Sequence, residues 1–237
     1  MAEVGQSDSG PEALEFEMED SCRWSIDSAR LMADCIHEDV RKMVVASRLR
    51  PDESNQIALI CRDDLNIGHL LGKGAFSEVR EASLQCDPQQ RRYAMKHLNA
   101  KFMSQPENFR LAANELAVEA HMLASFNHPN ILKIRGWTAR GVASFEEGYH
   151  DSFFLLLDSL DETLDHRIIQ WKSQEQFLQQ KQHASNDHFG LWNVLSSSEE
   201  TAHLTQVLDL SPERHQLHLE KYQICSEIAS ALRYLHT

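Results

Sequence analysis

An α+β fold is what these 237 residues predict, a five-stranded antiparallel sheet with one helix packed on it and further helix after it. Three observations carry that expectation. Strand-length apolar runs separated by turn residues fill 59–158, one segment of helical period (Asn108–Phe126) interrupts them, and helical period returns over 211–237. A chain of this length can bury a substantial core.

Residues 1–25 are expected to form a disordered acidic tail. Glu3, Asp8, Glu12, Glu15, Glu17, Glu19 and Asp20 stand among Gly, Ser and Pro with little to bury. Residues 26–58 read as a helical extension and linker. Between Ile26 and Arg50, Met32, Ile36, Val40 and Val44 recur four apart as one apolar stripe. Such a helix either docks on the main domain or serves a regulatory protein partner. Pro51-Asp52-Glu53-Ser54-Asn55 then reads as a turn or linker.

Within 59–158 the expected strands are Leu65–Leu71, Ser77–Ser83, Arg92–Leu98, Ile131–Ala139 and Ser152–Asp158, with the helix between the third and fourth. Arg140–Gly148 has two glycines and an acidic pair, and reads as a turn. Residues 159–210 are expected to be an exit segment and a polar insertion that carries no chemistry. Gln170–His183 can be helical there, whereas Ser185-Asn186-Asp187 and Ser196-Ser197-Ser198 read as loop. Over 211–237, Ser211 as cap and Pro212 at the first helical position start a helix. Its stripe of Ile224 or Cys225, Ile228, Ala231 or Leu232, and Leu235 calls for a large apolar partner. Most of that partner is expected to lie beyond Thr237, leaving the helix orphaned in this chain.

Lys and Arg total 23 against 36 Asp and Glu, a net charge of -13. That balance opposes a nucleic-acid binder, because phosphate contacts along a polymer need a positive footprint. The five cysteines are odd in number and include no CxxC pair, which points to a reducing compartment. The thirteen histidines form neither HExxH nor a Cys/His cluster, so no metal ligands are assigned. Met1 is followed by acidic and polar residues rather than a basic and then apolar leader, and no run reaches the length of a membrane span. A soluble protein of the cytoplasm or nucleus is expected, with no membrane and no nucleic acid among its partners.

The chemistry is concentrated in Leu71-Gly72-Lys73-Gly74-Ala75-Phe76-Ser77-Glu78-Val79 and Tyr93-Ala94-Met95-Lys96. The glycine turn lies between two strands, unlike dinucleotide or P-loop turns, which run from a strand into a helix. Small residues at its tip let backbone approach phosphate oxygens closely, and Lys96 on the neighbouring strand can reach the same phosphates. In the helix, Leu116, Glu119, Leu123 and Phe126 mark the inward face, and Glu119 is the one charged member of that series. A carboxylate on an apolar stripe is costly unless paired. A Lys96–Glu119 pair accounts for both charges.

These segments resemble the small lobe of a eukaryotic protein kinase. The glycine segment is similar to that family's glycine-rich loop, Tyr93-Ala94-Met95-Lys96 to its V-A-I-K strand, and Glu119 to the glutamate of its helix C. His128-Pro129-Asn130-Ile131-Leu132 resembles its H-P-N-I segment, and Phe153–Asp158 its fifth strand with Leu157 at the gatekeeper position. Ile224–His236 resembles the first long helix of the large lobe. The resemblance implies that the backbone of Gly72, Lys73, Gly74, Ala75, Phe76 and Ser77 covers the ATP triphosphate, with Leu71 at its edge. It also implies that Val79 and Ala94 pack on adenine, that Lys96 contacts the α and β phosphates under the control of Glu119, and that Leu157 bounds the rear. Backbone of Asp158–Leu160 is then expected to bond adenine.

Ser77 takes the place of the loop's third glycine. No His-Arg-Asp loop, no Asp-Phe-Gly and no Ala-Pro-Glu occurs in the chain, so the family's magnesium ligands are absent from it. The expectation is a serine/threonine-like protein kinase that uses ATP and Mg2+ on a protein substrate, represented by a partial gene model or a shortened, inactive chain. Small-lobe motifs do not separate serine/threonine from tyrosine acceptors. The alternative is a non-catalytic, kinase-like interaction fragment.

Overall fold

The computed structural model describes residues 23–193 and 212–236, with backbone alone at 182–193. Residues 1–22 of the expected acidic tail, the Ser196–Ser198 loop and the Ser211 cap lie outside the described residues, while Trp24 and Ser25, expected in that tail, are held against the first unit. Two compact units are present, the first ending at Ser159 and the second beginning at Leu160.

Helix α1, Ile26–Ala46, opens the first unit, with Ser25 as its cap accepting the Ser28 N–H at 3.3 Å. It stops four residues short of the expected Arg50. Arg48 adopts a left-handed φ of 54°, which closes the last turn. The buried stripe is Ala29, Ala33, Ile36 and Val40, so the expected stripe is shifted around the helix and Met32 and Val44 sit at its edge.

The sheet contains β1 (Ala58–Ile60), β2 (Leu65–Lys73), β3 (Ser77–Leu84), β4 (Arg92–Leu98), β5 (Ile134–Thr138) and β6 (Phe154–Asp158), in the order β1-β5-β6-β4-β3-β2. The five expected strands are antiparallel to their neighbours, and β1 joins as a sixth, parallel to β5. Three residues are too few to register as a period, but Gly136 makes room for them. A Cβ at Gly136 would stand 2.4 Å from Ile60 Cδ1 and 2.8 Å from the Ala58 carbonyl oxygen.

Side chains alternate across the sheet. Tyr93, Met95, Phe154 and Leu156 pack on one face with Ile60, Leu65 and Ala82. Ala94, Leu98, Leu155 and Leu157 pack on the other against α1 and α2, the latter spanning Pro106–Ala124. Lys96 belongs to that second, helix-covered face. Helix α2 starts two residues before the expected Asn108 because Pro106 serves as its first residue, where no amide donor is required. Arg140–Gly148, expected as a turn, winds into a 3-10 helix over Gly141–Glu147 that ends at Gly148 with φ 83°. From it Phe145 completes an aromatic chain. Trp24 meets Phe109 at 4.5 Å, Phe109 meets Phe145 at 5.2 Å, and Phe145 meets Phe153 at 5.7 Å between ring centroids.

On the face opposite Lys96, His97 and His150 are buried with ring centroids 5.5 Å apart. Asp151 is beside them and accepts from Arg62 Nε at 2.7 Å. Burial holds both imidazoles below their ordinary value of 6.5, and half-buried His121 shifts the same way for the same reason. Burial pushes the Asp151 carboxyl up, but Arg62 and His150 outweigh it and leave the group below its usual range.

The linkage follows from the two histidines. Below about pH 6.5 the unfolded chain binds protons that the folded chain excludes, so stability is fully present above that pH and falls as acid is added. Urea midpoints measured from about pH 7.5 down to pH 5 are expected to decline, and His150→Gln is expected to flatten part of the slope. A level wild-type profile would contradict this account.

The second unit pairs α3, Leu164–Asn193, with α4, Pro212–Leu235. Among the described residues Trp171 and Leu217 are buried there, and Arg167 bonds Glu220 at 3.0 Å across the two helices. Ser185-Asn186-Asp187, expected as loop, lies within α3. No proline interrupts Leu164–Asn193, and the modest helix aversion of these three residues is insufficient to end it. On α4, Ile228, Leu232 and Leu235 of the expected stripe are exposed and Ile224 is half-buried. Among the described residues no helix is long and apolar enough to cross a membrane.

Candidate functional site

The β2–β3 hairpin carries the glycine turn. Its tip is closed by the Gly74 N–H donating to the Ser77 carbonyl at 2.8 Å, and at its base Lys73 Nζ lies 2.7 Å from Glu78. Burial pushes the Glu78 carboxyl up, while its bond from Lys73 leaves it lowered overall. Neither Gly72 nor Gly74 adopts a left-handed φ. A Cβ at Gly72 would meet nothing within 4 Å, so its backbone is approachable from outside, whereas one at Gly74 would touch Ser77 at 3.4 Å. Register shifts at Ile67/Leu70 and Leu70/Gly72 bend the strand that leads into this tip.

Phe76 folds from the tip onto Phe102, with the rings stacked at 5.6 Å. The Asn99 N–H donates to its carbonyl at 3.0 Å and ties the tip to the end of β4. Directly beneath, Lys96 Nζ donates to both oxygens of Glu119, at 2.7 and 2.6 Å. Contacts this short between full charges are the strong kind. An ammonium has three N–H donors, so one remains for an anion that enters the space above it.

That space is a cavity of about 170 Å³ lined by Ala75, Phe76, Ser77, Lys96, Leu98 and Glu119, with Ala112, Glu115 and Leu116 completing its wall. The structure therefore brings five of the sequence-chosen residues together. Leu98, Ala112, Glu115 and Leu116 were not chosen. Their signal was available, since Leu98 is two residues after Lys96 on one strand face and Glu115 one helical turn before Glu119.

The remaining chosen residues are placed by the sheet register. Val79 pairs with Lys96, Leu155 pairs with Lys96 on the other side, and Ala94 pairs with Leu157. Val79, Ala94, Lys96 and Leu157 consequently share one face. Leu157 and Ala94 are buried in the core, while Leu71 and Phe76 are exposed. The Asp158 carboxylate accepts from Arg135 Nε and Nη2 at 2.6 and 2.9 Å, and its backbone N–H donates to the Lys133 carbonyl at 3.2 Å. Leu160 is exposed and belongs to the second unit.

A positioned ammonium below an open glycine backbone suits a polyphosphate. Among the described residues no three His, Cys, Asp or Glu side chains gather as a metal-binding group.

A twisted sheet, a crossing helix, a lysine–glutamate pair and a glycine hairpin above it define a kinase-type nucleotide lobe. The chain belongs to the protein tyrosine and serine/threonine kinase family, whose match covers residues 65–237. It is 38% identical over 79 residues to the tyrosine-protein kinase transforming protein ros of UR2 avian sarcoma virus, which is 32% of this chain and 18% of that protein. It is 38% identical over 79 residues to the proto-oncogene tyrosine-protein kinase ROS of Gallus gallus, 32% of this chain and 3% of that one. With the tyrosine-protein kinase receptor TYRO3 of Xenopus laevis the identity is 34% over 83 residues, 35% of this chain and 9% of the receptor. The matched stretch is thus a small part of each relative.

Proposed function

We propose that this chain is the nucleotide-holding part of a protein kinase that moves the γ-phosphoryl of ATP to a protein hydroxyl. The observation that carries the reading is the Lys96–Glu119 pair set beneath an approachable glycine turn. Lys96, oriented by Glu119, neutralises charge on the α and β phosphates. The backbone of Gly72–Ser77 covers them and sheds water. Val79 and Ala94 pack on the adenine, Leu157 limits its depth, and the Asp158 carbonyl meets its edge. ATP, when bound, supplies the phosphoryl group.

Positioning and charge stabilisation carry most of phosphoryl-transfer catalysis, and these residues supply the positioning. The sequence expectation of a serine/threonine acceptor gives way here to tyrosine, because the relatives just described are named tyrosine kinases.

Calorimetric titration with ATP tests the site. Binding weaker than micromolar is expected, since one small cavity encloses far less than a whole nucleotide. Lys96→Ala is expected to abolish the heat of binding and Glu119→Gln to weaken it. Titration curves unaltered by Lys96→Ala would sink the proposal.

A further inference from the structure

Helix α2 has two working faces. Ala112, Glu115, Leu116 and Glu119 line the cavity at Lys96, while Arg110, Asn114, Ala117 and Ala120 turn toward α1. Helix α1 packs on α2 and on the 3-10 helix over Gly141–Glu147. Arg110 Nε and Asn114 Nδ2 both donate to Asp39 Oδ2, at 2.7 and 3.0 Å. Trp24 sets its edge on Phe109, and its Nε1 donates to the Met103 carbonyl at 2.8 Å, just before α2 begins. Ile36 and Val40 are buried in the core that α1 and α2 share with the sheet. Farther along, the two helices leave a cleft of about 370 Å³ whose lining includes Val40, Val44, Ala117, Ala120, His121 and Trp137. Polar contact between the helices is thus concentrated at Asp39, and the cleft lies toward the end of α2 that carries Glu119.

We propose that residues 24–40 are a clamp built into the chain, with Asp39 as a positioning residue that holds α2 where Glu119 meets Lys96. This rests on the reading of Lys96 and Glu119 as the phosphate-holding pair. Ala113 has a physical reason in this arrangement, because a small side chain in the shared core lets a second helix approach α2 closely there. A helix so seated leaves the pair little freedom. Released from Asp39, α2 can pivot into the cleft, and the carboxylate moves with it.

The freedom of the Lys96 amine reads this out without nucleotide. An ammonium tied to a carboxylate by two hydrogen bonds has to leave them before its nitrogen attacks an acyl carbon. Labelling of the full chain with a small N-hydroxysuccinimide ester, followed lysine by lysine by mass spectrometry, measures that step. Asp39→Ala, which removes the acceptor shared by Arg110 and Asn114, is expected to raise the Lys96 labelling rate about threefold, the size appropriate to a partly exposed ion pair, and Arg110→Gln, which removes the charged donor and leaves the Asn114 bond, is expected to raise it less. Asp39→Glu is expected to stay near wild type. Lys73, paired with Glu78 in the hairpin and remote from this contact in sequence and topology, is the internal control and should not change.

Unchanged Lys96 labelling in both Asp39→Ala and Arg110→Gln would overturn the proposal. So would Lys96 and Lys73 rising together, which would mean that α1 supports the sheet as a whole. Failure of ATP to slow Lys96 labelling in the wild type would instead count against the proposed function and leave the clamp standing, because the variant comparison uses no nucleotide.

Discussion

Incubated with ATP, magnesium and protein acceptors, the purified 237-residue chain is expected to transfer no phosphoryl group. Within these residues there is no His-Arg-Asp followed by the metal-binding Asn, and no Asp-Phe-Gly. The family's reaction draws one aspartate from the first motif to accept the hydroxyl proton and one from the second to hold magnesium. A positioned general base alone contributes about 10²–10⁴-fold, and the metal adds several kcal/mol of charge stabilisation on top. In the proposed function Lys96 and Glu119 hold the nucleotide, but they offer no base to the acceptor. Radiolabelled phosphate in an acceptor protein, lost on Lys96→Ala, would overturn this expectation.

A large effect on stability is expected from Phe109→Ala. Phe109 is 1% exposed and stands between Trp24 and Phe145, so one ring joins α1, α2 and the 3-10 helix. Truncating such a ring removes its burial and leaves a cavity, at a cost of about 3–5 kcal/mol. Its edge contacts add to the loss. Leu111→Ala, two residues away but exposed, is expected to change stability by no more than about 0.5 kcal/mol. Urea denaturation of the two variants makes the comparison, and equal shifts in midpoint would contradict the packing described.

The centre of the site was legible because its signal is chemical. A single carboxylate on an apolar helix face demands a cation, and Lys96 on the strand beside the glycine hairpin was the candidate the pattern offered. The second face of α2 was not legible in the same way. Alanine contributes little to any hydrophobic period, so Ala113, Ala117 and Ala120 do not announce the helix that packs on them. The α1 stripe was displaced for the same reason, since Ala29 and Ala33 carry it where the larger Met32 and Val44 suggested otherwise. Phe102 as the platform under Phe76, and the approach of His97 to His150, depend on chain segments brought together only by the sheet. No local pattern contains them. At Ser185-Asn186-Asp187 the polar composition suggested a loop, while helix continuity from Leu164 prevailed.

The short strand β1 has a bearing on how the protein behaves when concentrated. By pairing with Gly136–Thr138 it occupies backbone donors and acceptors of β5 that another molecule's strand would otherwise match. It presents a border of only three residues in their place. At the opposite border, β2 is broken by two register shifts before it reaches Lys73, so no long, flat row of unpaired amides faces outward there either. Exposed sheet borders are where folded proteins most readily recruit one another into continuous sheets, and this one is blunted at both ends, by brevity on one side and irregularity on the other.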